Sequence, residues 1–191
     1  LFKYMNEEEA NNLINDTELI FNKFGMDSQV YPSNIEEALE LRKCGIKKPI
    51  LILGYTPVEC VKILWDNDIS QCIYSKEYAL KLSEKATLEN VEIKVHIKLD
   101  TGMHRLGFMT EELQELIDFL QTCKAVKVKS VYSHLAAADD PCCDDFTLGQ
   151  VQLFRENADK LTEAIGYKPL YHILNSAGIE RFPQYQFDMV R

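Results

Sequence analysis

A chain of 191 residues amounts to one domain, or one and a fraction. Hydrophobic residues at 46% and charged residues at 27% are ordinary globular usage, which excludes a disordered chain and a coiled coil. Asp and Glu total 30 against 21 Lys and Arg, for a net charge of -9. That field repels phosphate backbones and anionic lipid, so nucleic acid and membrane surfaces are poor partners.

No apolar stretch approaches the roughly 20 residues of a membrane span. Residues 1–9 lack the basic-then-apolar order of a signal peptide, and a cytoplasmic protein is expected. The chain opens without Met, as a piece of a longer sequence would. Cysteines at 44, 60, 72, 123, 142 and 143 fall mostly in apolar-patterned segments and read as reduced, buried thiols.

In chain order, Leu13, Ile14, Leu19, Ile20 and Phe24 predict a helix over 11–24, and residues 28–31 a short extended segment closed by Pro32. Asn34 caps a helix with Glu36 and Glu37 in its first turn and Gly45 as its stop. Residues 49–54 are apolar throughout, as a strand buried on both faces of a parallel sheet would be. Thr56-Pro57 opens a helix through Trp65, with Pro at the first helical position. Strands over 69–74, 93–99, 126–133 and 170–174 then alternate with helices over 75–86, 110–123 (capped by Thr110), 146–165 and 176–182. A last strand is expected over 186–190.

Strict alternation of this kind means an α/β fold with a parallel sheet, either doubly wound or a (β/α)8 TIM barrel. No G-x-G-x-x-G turn and no P-loop follows a strand, which removes support from the nucleotide-binding open sheet. The barrel is one strand short, and the missing one belongs at the N-terminus.

In a parallel barrel, chemistry sits beyond the C-terminal strand ends. There the sequence places Lys98 and Arg105, then Ser133-His134, then Asn175-Ser176, and finally Arg191. Singly, each has an ordinary reading. Lys98 and Arg105 could pair with acids on the rim, His134 could be structural, and Asn175 could be a plain helix cap. Arg191 alone says almost nothing. Together they put rigid guanidinium forks, an imidazole and a hydroxyl on one rim, a donor set suited to a planar, phosphate-bearing anion.

These segments resemble the motifs of bacterial alanine racemases. Asp100-Thr101-Gly102-Met103-His104-Arg105-Leu106-Gly107 is similar to their Asp-Thr-Gly-Met-x-Arg-x-Gly segment. Ser133-His134-Leu135-Ala136-Ala137-Ala138-Asp139 resembles their Thr/Ser-His-Phe-Ala-x-Ala-Asp. Asn175-Ser176-Ala177, Arg181-Phe182-Pro183 and Phe187-Asp188-Met189-Val190-Arg191 resemble the run ending in Met-Val-Arg-x-Gly. The likeness spans about Gly25 to the C-terminus and leaves residues 1–24 divergent.

The resemblance implies a pyridoxal-phosphate enzyme of fold type III: a barrel followed by a β-domain, working as a homodimer. Residues 1–191 would then be the N-terminal, cofactor-binding barrel of such a protein, incomplete at both ends and lacking the β-domain. By the family pattern Arg191 meets the pyridine nitrogen and His134 lies by the ring. Arg105 orients the phenolic oxygen and the substrate, and Ser176, with Asn175, holds the phosphate. Lys98 falls where many members carry a carbamylated lysine, and His104 occupies a variable position. The cofactor-binding lysine should lie near the start of the chain. Lys3 is about where it belongs, but Asn6-Glu7-Glu8-Glu9 follows instead of Ala-Tyr-Gly. The opposing catalytic tyrosine belongs to the β-domain and to the partner subunit.

Alanine is the expected substrate and D-alanine for peptidoglycan the expected product. Serine racemases of the same family, including ligase-fused and membrane-tethered forms, compete most closely with that reading; membrane association is expected only for a tethered parent. Three further readings compete with it: a single-domain pyridoxal-phosphate homeostasis protein, an amino-acid decarboxylase of the same class, and a catalytically inactive barrel remnant serving as a binding or interaction module. Residues 139–145, with two adjacent cysteines among acids, read as a polar loop, since they lack the spacing of a zinc site.

Overall fold

The computed structural model describes residues 30–190. The helix expected over 11–24, Lys3 and Arg191 lie outside the described residues. Five strands, β1 (Ile50–Ile52), β2 (Ile69–Ile73), β3 (Ile93–Lys98), β4 (Val126–Tyr132) and β5 (Leu170–His172), form one sheet in sequence order. All four pairings are parallel. Among the described residues six α-helices accompany them: α1 (Ile35–Lys43), α2 (Val61–Asp66), α3 (Lys76–Leu88), α4 (Leu113–Thr122), α5 (Asp144–Ile165) and α6 (Ser176–Arg181). The described residues are thus a parallel half-barrel, and a closed eight-stranded barrel is not formed among them.

Local chemistry accounts for most of the boundaries. Asn34 Oδ1 accepts from Glu37 N at 2.9 Å, Glu37 Oε2 accepts in return from Ser33 N at 2.8 Å, and Gly45 (φ +83) ends the first helical segment. Ser75 caps α3 through Tyr78 N.

At several points the structure departs from expectation. Of the extended segment expected over 28–31, residues 28 and 29 lie outside the described residues, and Val30 makes an isolated parallel bridge to Ile50. Pro57 lies one residue outside a short 3-10 turn, Val58–Cys60, and α2 begins only at Val61. Thr110 does not cap α4: Asn157 Nδ2 donates to its hydroxyl at 2.9 Å, and Met109 N turns instead to Glu112 Oε2. Residues 186–190 are not a strand. Asp188 N donates to Tyr171 O at 3.0 Å, but Tyr171 N is taken by the Asp188 carboxylate at 2.8 Å. A side chain fills the place of the next backbone carbonyl, and the ladder stops there. All six cysteines are free, but only Cys72 is buried, and Cys142 is exposed.

The sheet has two unlike faces because side chains alternate along each strand. Ile52, Ile73, Ile93, Val95, Ile97 and Val131 join the helices in the main core, and α5 adds Phe154, Ala158 and Leu161. The inner face carries a small apolar group, Leu51, Cys72 and Tyr132, and buried polar residues: His96, Lys98, Ser130 and His172.

Candidate active site

β3, β4 and β5 are parallel neighbours, so their C-terminal ends share one rim. Beyond Lys98 the chain folds back on itself: Asp100 N donates to Phe108 O and Phe108 N to Lys98 O, both at 2.9 Å. The turn is organised by Asp100, whose Oδ1 accepts from Gly102 N at 2.9 Å and His104 N at 3.1 Å. His104 sits in the left-handed region (φ 52). Arg105 follows at the outer edge of the turn, exposed, and makes no ion pair among the described residues.

Burial alone would raise the Asp100 pKa. The Gly102 and His104 amides outweigh it, helped by the charges of His104 and Lys98, and hold the carboxyl below its ordinary value. A carboxylate depressed in this way stabilises the fold above its unfolded pKa of about 3.9, and the contribution is lost as pH falls through the lower folded value. Acidification below about pH 4 should therefore loosen residues 99–108 first. Amide exchange at Gly102 and His104 should accelerate before exchange in α5, and Asp100→Asn should abolish that pH dependence. Simultaneous loosening of the turn and α5 would contradict this assignment.

At the end of β4, Ser133 Oγ donates to Leu99 O at 2.8 Å and so accepts from Thr101 Oγ1, also at 2.8 Å. These bonds tie the β3 turn to the β4 end. His134 is half-buried. Its carbonyl accepts from Gln150 Nε2 at 3.4 Å, while Gln150 Oε1 accepts from Ala136 N at 3.0 Å. Arg181 closes the following loop, donating to Ala138 O at 2.6 Å and Asp144 Oδ1 at 2.7 Å. Within that loop Asp140 caps Cys142 N at 2.9 Å, so residues 139–143 form a polar turn.

Beyond β5, Asn175 caps α6 through Gly178 N at 2.9 Å and donates from Nδ2 to Leu135 O at 3.2 Å. Its role as a helix cap is therefore realised, and it also fixes the β5 end against the β4 end. Ser176, the first residue of α6, is exposed. Lys98 is 5% exposed, with Nζ 5.7 Å from the centre of the Tyr132 ring. Tyr132 stacks flat on His172, with centroids 4.7 Å apart and planes at 1°, and donates to Cys72 Sγ at 3.0 Å.

Lys98, His134, Asn175 and Ser176 thus share one rim, with Arg105 at its outer edge. Sequence reasoning does not reach Gln150, Tyr132, His96 or His172. For His96 a signal exists: it alternates with Val95 and Ile97 and shares a face with Lys98. A groove of about 1050 Å³ lies at the opposite ends of β3 and β4, where Trp65, Leu80 and Phe119 line it between helices.

Residues 28–191 match the family described as alanine racemase, N-terminal domain. An alanine racemase of Syntrophobacter fumaroxidans is 42% identical over 156 residues, covering 81% of this chain and 41% of that protein. Alanine racemase 1 of Clostridium acetobutylicum is 37% identical over 158 residues, covering 82% and 41% respectively. The solved alanine racemase of Clostridium difficile 630 superposes with a TM-score of 0.78 at 32% identity, covering 92% of this chain and 46% of that one. The chain thus spans less than half the length of the relatives it matches. With the profile of that domain covering most of its length, the chain belongs to the alanine racemase family, as an N-terminal domain.

Proposed function

We propose that this chain is the cofactor-binding half of a pyridoxal-phosphate-dependent racemase that interconverts L- and D-alanine. The observation that carries it is the stitched rim itself, which gathers Lys98, His134 and Ser176 at adjacent strand ends of a racemase-family half-barrel. The donor chemistry suits the cofactor. An exposed hydroxyl at the start of α6 is free to take a phosphate oxygen, a half-buried imidazole offers a flat face, and an unpaired guanidinium is available for a phenolic oxygen.

Pyridoxal phosphate, when bound, supplies the electron sink that makes the α-proton of an amino acid removable. The residues of this chain do the rest. Ser176 would hold the phosphate, with Asn175 fixing the turn that presents it. Arg105 would orient the phenolic oxygen and the substrate carboxylate, and His134 would bound the ring. Arg191 would donate to the pyridine nitrogen; a guanidinium keeps its proton, so the ring nitrogen stays unprotonated, which favours plain proton exchange over side reactions. Lys3 is the candidate for the lysine that binds the cofactor and serves as one base. The opposite base would come from the second domain of a partner subunit, in a cytoplasmic homodimer that supplies D-alanine for peptidoglycan.

Lys98 is the candidate for a carbamate, formed when neutral Nζ adds to carbon dioxide and releases a proton. Its product is an anion suited to accept from Arg105. Intact mass in bicarbonate should exceed that of an acidified sample by one carbon dioxide, and equal masses would remove the assignment.

The activity test is deuterium incorporation at Cα of L-alanine in heavy water, with pyridoxal phosphate supplied and L-serine as comparison. Exchange into alanine ahead of serine supports the proposal, and Ser176→Ala should raise the cofactor concentration required by about tenfold. Faster exchange into serine would make it a serine racemase. No exchange with cofactor demonstrably bound would leave a binding module and overturn the catalytic assignment.

A further inference from the structure

Below the rim, three side chains of the inner face have no role in the chemistry above: His96 on β3, Ser130 on β4 and His172 on β5. They are 3%, 0% and 1% exposed. His96 Nδ1 lies 2.6 Å from Ser130 Oγ, and that oxygen lies 3.3 Å from His172 Nε2. The alignment depends on a bulge. Pairing between β3 and β4 skips Lys129, so Val95 faces Val128 but His96 faces Ser130. Without the extra residue His96 would stand opposite Lys129, whose side chain is exposed. Bulges that re-aim a side chain recur beside active sites.

A serine hydroxyl has one proton to give. Ser130 is fully buried and its oxygen meets the two ring nitrogens, so the proton goes to one of them, which must offer a lone pair. The other nitrogen faces the oxygen lone pairs and must carry a hydrogen, because two facing lone pairs would repel.

We propose that His96, Ser130 and His172 form a tautomer relay, in which the state of the buried His96 is coupled to whether His172 carries its hydrogen on Nε2 or on Nδ1. In one arrangement His96 Nδ1–H donates to Ser130, Ser130 donates to His172 Nε2, and the His172 proton sits on Nδ1. In the other, His172 Nε2–H donates to Ser130, Ser130 donates to His96 Nδ1, and His172 Nδ1 carries the ring lone pair. His172 ends β5 and stacks on Tyr132, against which Lys98 lies, so the relay acts as a positioning device for the site. Its bearing on the cofactor rests on the racemase proposal; the relay itself does not.

Both rings need to remain neutral for the relay to persist. Burial holds the His96 imidazole down at about 3, and Lys129 acts in the same direction. Around the pair stand Lys98 and Lys129, Tyr132 stacked on His172, and Cys72 opposite His96.

Histidine-selective ¹⁵N labelling of the chain reads which ring nitrogens carry hydrogen, with or without cofactor. The expected result is that His96 Nδ1 and His172 Nε2 are in opposite states and stay so between about pH 5 and 8, where an ordinary histidine titrates. Ser130→Ala should shift the His172 ¹⁵N signals toward a mixture of tautomers, and Ser130→Thr, which keeps the hydroxyl, should restore them. Both nitrogens protonated, both bare, or no response to Ser130→Ala would overturn the relay. The wild-type spectrum decides the matter even if a variant does not fold. A parallel titration with pyridoxal phosphate that shows no binding would count against the racemase proposal and leave the relay result standing.

Discussion

Gly107→Ala should open the turn that carries Arg105 and cost about 3–5 kcal/mol, the sum of a strained backbone and two or more broken hydrogen bonds. Gly107 has φ +126, a conformation closed to side chains with a Cβ. An added Cβ would lie 2.7 Å from Asp100 N, 2.8 Å from Leu99 C and 3.0 Å from Lys98 O. All three are backbone atoms of the strand end, so no rotamer change relieves the contact. The Leu99–Phe108 bridge would separate, and with it the two 2.9 Å bonds that fold the segment back. Denaturant unfolding should give a lower midpoint, and amide protection at Asp100 and Phe108 should vanish. Gly45→Ala is the control. It too has positive φ (+83), but nothing lies within 4 Å of its Cβ, so its loss should be confined to the backbone term of about 1–2 kcal/mol. Equal losses at the two glycines would mean that close approach of the backbone does not decide the Gly107 effect.

Phe154→Ala should cost about 3–5 kcal/mol, a large share of the roughly 5–15 kcal/mol that holds a domain together. Phe154 is fully buried beneath the sheet, edge-on to Tyr171 at 5.9 Å and tilted against Phe187 at 5.4 Å. Emptying that position loosens α5 against β5. The consequence reaches the rim, because Gln150, one turn earlier on α5, holds the His134 carbonyl and the Ala136 amide. A lower midpoint with faster exchange at Ala136 is expected. Phe154→Leu, which keeps most of the volume, should recover most of the loss. A loss under about 1 kcal/mol for Phe154→Ala would mean that the site collapses freely and does not anchor α5.

Much of this architecture was legible because local signals agreed. Asn34 before Glu36-Glu37 and Ser75 before Lys76-Glu77 mark helix starts whose side-chain oxygens do cap the backbone. The apolar run at 50–52 marks a strand buried on both faces, and 69–73 is buried throughout as well, although Ser70 and Gln71 are polar. Expectations failed where a distant side chain took a backbone partner or a capping group. Asp188 replaces a carbonyl in the ladder of β5, and Asn157 takes the Thr110 hydroxyl from 47 residues away. Neither contact has a local signature.

The site was legible as a set of strand-end residues but not as a network. Asp100, Gly102 and Gly107 looked like motif letters. In the structure each has a mechanical reason: a carboxylate that gathers two amides, and two glycines at φ +127 and +126, the second of them against backbone atoms that leave no room for a Cβ. Gln150 gave no sign in sequence of holding two strand-end groups, because its partners lie 14 and 16 residues away across a loop. The register shift at Val95/His96 left only a slight mark in sequence, the adjacent polar pair Lys129-Ser130 that interrupts the alternation begun at Val126.

Trapping added pyridoxal phosphate with borohydride, followed by peptide mapping, tests the rim most directly. Label confined to Lys3, the candidate for the cofactor lysine, is the result that the proposal predicts. Ser176→Ala should then weaken the labelling. Label spread over lysines remote from the rim, such as Lys62 on α2 and Lys124 before β4, and unaffected by Ser176→Ala, would contradict a cofactor site there.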